Sequence, residues 1–187
     1  MRALLGAVRE AFDPVPEAEP FLAEWPEEAQ TRVLVPTLLP VCQRLAGMAE
    51  SGVVTALKAL AGQLQWRQTY GAADFGEAFL AGYAWAEFIG LRGPVASDRI
   101  ACGVLLLGPG VVYPAHAHQA EEVYLPISGV AAWQRGEGRF VPVPVGQAVH
   151  HPPWMPHAMR VGAEPLAALY LWRGGDLAAK SVILDRS

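Results

Sequence analysis

From Met1 to about Tyr70, apolar residues recur at helical spacing with charged residues between them. Leu4, Leu5, Val8 and Phe12 fit one face of a first helix, which Pro14 and Pro16 stop. A second helix is predicted over Pro20–Trp25. A third is predicted to begin after Pro26, with Glu27 and Glu28 at the positive end of its dipole and Pro36 and Pro40 kinking or dividing it. Beyond Gly52, a further helix is predicted over Val54–Tyr70, where Leu57, Leu60 and Leu64 form a stripe. Such a stripe packs against the rest of the domain or against a second copy of the chain, which leaves room for a homodimer.

After about Phe75 the pattern changes to short apolar runs, many alternating, separated by Gly and Pro. Strands are predicted over 84–88, 99–107, 112–118, 122–127, 131–134, 140–145, 148–151, 157–161 and 166–172. This many short strands at such spacing implies a mainly β sandwich or barrel, and a jelly roll is one way for such a chain to close its edges. The 187 residues suit one well-buried domain with a helical appendage rather than two independent cores.

Composition narrows the function classes. Fourteen basic and 18 acidic residues give a net charge of -4 without long runs of one sign, so a nucleic-acid footprint is not expected. Although 52% of the residues are hydrophobic, no uninterrupted apolar stretch approaches the roughly 20 needed to span a bilayer. Arg9 and Glu10 interrupt the first apolar run before it could serve as a signal-peptide core. Cys42 and Cys102 stand far apart with no CxxC partner, which suits a reducing cytoplasm and buried, structural thiols. The expectation is a cytoplasmic protein with a small-molecule substrate.

All five histidines lie between positions 116 and 157. His116 and His118 are two apart, so on an extended strand they project from one face. Glu122 and Tyr124 repeat that spacing beyond a predicted bend at Gln119-Ala120, and His157 follows a stretch stiffened by Pro152, Pro153 and Pro156. Three neutral imidazoles and a carboxylate suit one divalent transition ion (Zn, Fe, Ni, Co or Mn) and leave positions open for water or substrate. Period-two facing turns Glu121 away from the pair, and of the adjacent His150 and His151 at most one can reach the same cavity.

Gly110, His116, His118, Glu122 and Gly129 match every fixed position of the first cupin motif, and Gly146, Pro152 and His157 match the second. Trp154 stands where that motif usually has Gly, and Val161 where it usually has Asn. The chain therefore resembles the cupins. The resemblance implies a double-stranded β-helix, or jelly-roll barrel, over residues 73–187, with residues 1–72 as an N-terminal α-helical extension. Within the cupins it is similar to the dimethylsulfoniopropionate lyases, through YPAHAHQAEEVY followed by Gly129 and Trp133, through HHPPWMPHAM, and through YLWRGGDL.

That likeness implies a carbon-sulfur lyase that removes a proton beside the substrate carboxylate and expels dimethyl sulfide, leaving acrylate. His116, His118, Glu122 and His157 would hold the metal, and Tyr124 would be the base. A bound cation acts as a Lewis acid toward the charge that develops at the carboxylate, and it favours the phenolate of a neighbouring tyrosine, whose ordinary pKa is about 10. The sulfonium would favour aromatic faces by roughly 0.5–2 kcal/mol. Tyr113, Trp133, Trp154 and Tyr170 are the candidates, although for any one of them taken alone ordinary core packing is the preferred reading. Competing readings keep the metal site but change the reaction to an Fe-dependent dioxygenase or an isomerase acting on a small carboxylate or sugar, or make the chain a non-catalytic small-molecule-binding cupin.

Overall fold

Along one strand, Leu166–Arg173, the side chains of Leu166, Ala168 and Tyr170 enter one hydrophobic cluster, while those of Ala167, Leu169 and Leu171 enter another. All six are buried. A strand covered on both faces reads as a continuous apolar run, and this is why alternation is weak here and in Ile100–Leu107. The computed structural model describes residues 1–27 and 32–184.

Two sheets carry the fold. The six-stranded sheet has the order β2 (Val95–Ala96), β1 (Tyr83–Gly90), β3 (Ile100–Leu107), β10 (Leu166–Arg173), β5 (Glu121–Ser128) and β8 (Val149–His151). The five-stranded sheet has the order β11 (Val182–Ile183), β4 (Val112–Ala117), β9 (His157–Val161), β6 (Ala131–Arg135) and β7 (Val141–Val143). Within both sheets the pairings are antiparallel except β1 with β2. This is the jelly-roll barrel of the cupins, with helices added at the N-terminus.

The inner faces enclose Tyr124, Trp133, Met159 and Tyr170. The outer face of the six-stranded sheet is covered by the helical segment: Leu4, Val8 and Phe12 of α1 (Arg2–Phe12) and Val54 and Leu57 of α3 (Gly52–Leu60) join one cluster with Val104, Val123 and Leu169. Phe21, in the short α2 (Glu19–Leu22), belongs to the same cluster. The extension is thus part of the hydrophobic core and encloses the outside of the barrel sheet.

The helical pattern misleads in two places. The helix predicted after Pro26 lies partly outside the described residues, and Arg32–Leu39 forms no helix, with Thr37 in an isolated bridge. Its polar groups bond to the barrel instead: the Arg32 backbone N–H donates to the Pro94 carbonyl at 2.5 Å and its guanidinium to the Leu91 carbonyl at 2.7 Å. The helix predicted over Val54–Tyr70 ends early, α3 being followed by a 3-10 turn over Ala61–Gln63. Beyond it Gln65 pairs with Thr37 and Arg67 with Trp85, so other strands supply the backbone partners that a helix would have supplied internally.

A helix the pattern did not predict, α4 (Ala72–Ala81), precedes the barrel. Asp74 accepts the Gly71 N–H at its start at 2.8 Å, and Gly76, at φ 79°, kinks it. Only three large apolar residues mark it in sequence, of which Phe75 and Phe79 meet edge to face with ring centroids 4.8 Å apart. The two-residue strands β2 and β11 were likewise too short to leave a period.

Candidate metal centre and its cavity

Glu122 is the second residue of β5, a strand with a neighbour on each side: its register partners are Trp172 on β10 and His151 on β8. On the opposite sheet His116 of β4 is in register with His157 of β9. Gln119 and Ala120 form the bend between β4 and β5, which brings His118 to the same interior. His116, His118, Glu122, His151 and His157 are all buried.

Three of these imidazoles share one device. Nδ1 of His116 lies 2.8 Å from the Pro114 carbonyl, that of His118 lies 2.9 Å from the Ala120 carbonyl, and that of His157 lies 2.9 Å from the Met155 carbonyl. A carbonyl can only accept, so each Nδ1 carries the proton and each Nε2 keeps a lone pair for the interior. Their ligand atoms lie within 4.8 Å of one another.

Oε2 of Glu122 is 3.2 Å from Nε2 of both His118 and His157. Two donors about 2.1 Å from a common ion, at angles between tetrahedral and octahedral, are roughly 3.0–3.4 Å apart, so the spacing fits a shared cation. Nε2 of His157 is buried with no hydrogen-bond partner among the described residues, as a lone pair meant for an ion would be. The cluster fits a metal centre of nitrogen and oxygen donors. The remaining oxygen of Glu122, Oε1, accepts from the Trp172 indole N–H at 2.5 Å.

The electrostatics follow from this packing. Burial opposes the Glu122 charge, but His118, His151 and His157 outweigh it and hold the carboxyl well below its usual range. Burial alone would lower His118, but the Glu122 charge and hydrogen bond reverse the direction and raise it. Burial, and then the neighbouring His157, drive His116 well down. His151 falls to about 4, chiefly through burial.

A cavity of about 520 Å³ reaches His116 and Glu122, within the ordinary range for small-molecule sites. Its wall combines the rings of Tyr70, Tyr83, Trp85, Tyr113, Tyr170 and Trp172 with the charged Arg67, Glu87, Arg92 and Lys180, and Tyr124 stands beside Glu122. Burial, reinforced by the Glu122 charge, pushes the Tyr124 phenol well above its ordinary pKa. Tyr113 stacks on His116 at 4.3 Å, and Trp172 lies against His118 at 4.2 Å.

Of the four aromatics singled out from sequence, Tyr113 and Tyr170 line this cavity. Trp133 is buried behind it, packed on Tyr124 at 4.9 Å. Trp154 is 55% exposed on the outside, in a shallow cleft with Arg173 and Glu121. Glu121 faces outward, with Oε2 accepting from Arg173 Nε at 2.7 Å and Oε1 lying 2.8 Å from His150 Nε2. Sequence reasoning did not single out Tyr70, Tyr83 or Trp85, which come from the helical segment and β1. Nothing local marks them, because they meet the motif residues only in the folded chain. His151 did carry a signal: it shares a face with Val149, whose side chain is in the inner cluster.

Comparison with known proteins agrees with this geometry. A sequence profile for dimethylsulfoniopropionate lyases matches residues 21–168. The chain is 38% identical over 143 residues to dimethylsulfoniopropionate lyase DddQ of Ruegeria pomeroyi, covering 74% of this chain and 69% of that one. It is 30% identical over 178 residues to the putative dimethylsulfoniopropionate lyase DddL of Cereibacter sphaeroides, covering 90% and 70%. Among solved structures, the DddQ crystal structure from Ruegeria pomeroyi superposes with a TM-score of 0.88 at 30% identity, covering 97% of this chain and 94% of that one. A chain from a crystallographic study of the lyases RdDddP and RnDddQII superposes with a TM-score of 0.90 at 31% identity, covering 98% and 97%. The chain belongs to the dimethylsulfoniopropionate lyase family.

Proposed function

We propose that this member of the dimethylsulfoniopropionate lyase family cleaves dimethylsulfoniopropionate to dimethyl sulfide and acrylate by β-elimination. His116, His118, Glu122 and His157 would hold one divalent ion, of zinc, iron, nickel, cobalt or manganese. Such an ion supplies Lewis acidity toward the substrate carboxylate. The observation that carries the reading is the convergence of these four buried groups at the end of an aromatic-walled cavity that also contains Tyr124.

The chain's own residues then divide the work. The cavity has room for a small substrate beside the buried imidazoles. Tyr70, Tyr83, Trp85, Tyr113 and Tyr170 offer ring faces to the sulfonium. With the carboxylate directed at the cluster and the sulfonium at the rings, the α carbon lies between them, and Tyr124 takes its proton as the phenolate, the form that a bound divalent ion would favour against the opposing burial and Glu122 charge. The electron pair of that C–H bond forms the new double bond as the C–S bond breaks. Dimethyl sulfide therefore leaves as a neutral molecule. Among the described residues no helix is long and apolar enough to cross a membrane, and we place the reaction in the cytoplasm.

The test is a headspace assay for dimethyl sulfide on purified protein reconstituted separately with each of the five ions. Sulfide release accompanied by stoichiometric acrylate is expected from at least one form. No release from any metal-loaded form would remove the assignment.

A further inference from the structure

His151 belongs to the interior of the centre but matches none of the four motif ligands. It is fully buried, on β8, in direct register with Glu122. Its Nδ1 lies 3.4 Å from Glu122 Oε2, and its Nε2 is buried with no partner among the described residues. Burying an imidazole with one nitrogen unsatisfied costs free energy, so the position calls for a reason other than packing.

Two features decide what that reason is. The three motif imidazoles turn Nδ1 to a main-chain carbonyl and Nε2 to the interior, whereas His151 turns Nδ1 to the carboxylate. A carboxylate accepts and does not donate, so His151 carries its proton on Nδ1. The His151 ring also stacks on that of His157, with centroids 4.1 Å apart and planes 12° from parallel. Imidazole lone pairs lie in the ring plane, so two rings stacked this close to parallel direct their lone pairs along separate planes rather than to one point. Proximity gathers Glu122, His151 and His157 into a second trio of candidate ligand atoms, but two stacked rings cannot both ligate one ion.

We propose that His151 is a positioning residue for the metal-ligating carboxylate: its Nδ1–H holds Oε2 of Glu122 while the Trp172 indole holds Oε1. The two donors come from the two strands flanking β5, so the carboxylate is oriented from both sides of its own sheet, and the opposite sheet supplies His116 and His157. The inference rests on reading the cluster as a metal centre and is independent of the substrate.

The test compares His151→Phe, which keeps a flat ring to stack on His157 but has no donor, with His151→Asn, whose amide N–H stands near the place of Nδ1, and His151→Gln, whose amide lies farther out. Cobalt(II) affinity by chelator competition and the cobalt(II) absorption spectrum are read together, with circular dichroism of the metal-free forms to establish folding. His151→Phe should bind cobalt roughly 10–100-fold more weakly with an altered spectrum, and His151→Asn should stay within about threefold of wild type. Wild-type affinity and spectrum in His151→Phe would overturn the proposal, as would equal losses in Phe and Asn, which would place the role in ring shape. If His151→Phe does not fold, the Asn and Gln variants decide: Gln weaker than Asn supports donation from the Nδ1 position, and equal affinities overturn it. Wild-type protein that takes up no cobalt removes the metal-centre reading itself, before any variant is measured.

Discussion

Trp172 and Glu122 are register partners on adjacent strands, and the indole Nε1–H donates to Oε1 of the carboxylate at 2.5 Å. A hydrogen bond to a buried charge is worth about 1.5–3 kcal/mol, and here it also determines which oxygen faces the imidazoles. Trp172→Phe should therefore weaken metal binding about tenfold or more while preserving the fold. Chelator competition checks this, and unchanged affinity would show that the indole bond does not orient the carboxylate.

Tyr124 stands two residues beyond Glu122 on β5. Tyr124→Phe should lower dimethyl sulfide release by roughly 10²–10⁴-fold, the usual contribution of a positioned acid or base. Metal content, read by elemental analysis, should be unchanged. Retained activity would place the base elsewhere.

Metal uptake should depend on pH through His118. Glu122 overcomes the effect of burial and raises the His118 pKa above its ordinary value, so in metal-free protein this imidazole keeps its proton to a higher pH than a free histidine. An ion must displace that proton. Affinity should therefore fall as pH drops through the raised value, by about tenfold per pH unit for each proton displaced. His118→Ala should lose the ion altogether. An affinity flat from pH 8 to pH 5 would contradict the assignment of His118 as a ligand.

Trp154 occupies the position where the second cupin motif usually has glycine, and its φ is 61°. A residue with a Cβ pays about 1–2 kcal/mol for that left-handed conformation, and a side chain 55% exposed regains little of it by burial. The backbone is held there because the Trp154 N–H donates to the His118 carbonyl at 2.7 Å. Trp154→Gly should stabilise the protein by about 1 kcal/mol, raising Tm by roughly 2–4 °C. A lower Tm in a thermal melt would mean that the indole contributes more than its exposure indicates.

Phe12, at the end of α1, is fully buried in the cluster that also contains Val104 and Leu169 of the barrel. Phe12→Ala should cost about 3–5 kcal/mol and, because the cluster is shared, should unfold helices and barrel in one transition. Denaturant melts followed by two probes would test this. Separate transitions would mean that the extension is an independent unit.

Local pattern carried a good part of this protein. Period-two spacing put His116 with His118 and turned Glu121 away from Glu122, because alternation along a strand is geometric and needs no tertiary information. The nine longer strands left their trace as short apolar runs between Gly and Pro. The early end of the helix predicted over Val54–Tyr70 left none, because Gln65 and Arg67 take backbone partners from Thr37 and Trp85, which lie far away in the chain.

By itself the sequence determined which nitrogen and oxygen donors the candidate centre has to offer, the spacing of the cupin-motif residues and the mainly β class, all consequences of residue chemistry and local periodicity. Only the tertiary structure decided that His151 and Trp172 flank Glu122, that Tyr70, Tyr83 and Trp85 complete the cavity wall, and that Trp154 stands outside it. These relationships arise from strand register and from the closing of two sheets on each other. Pairing between residues tens of positions apart leaves no mark on either segment alone.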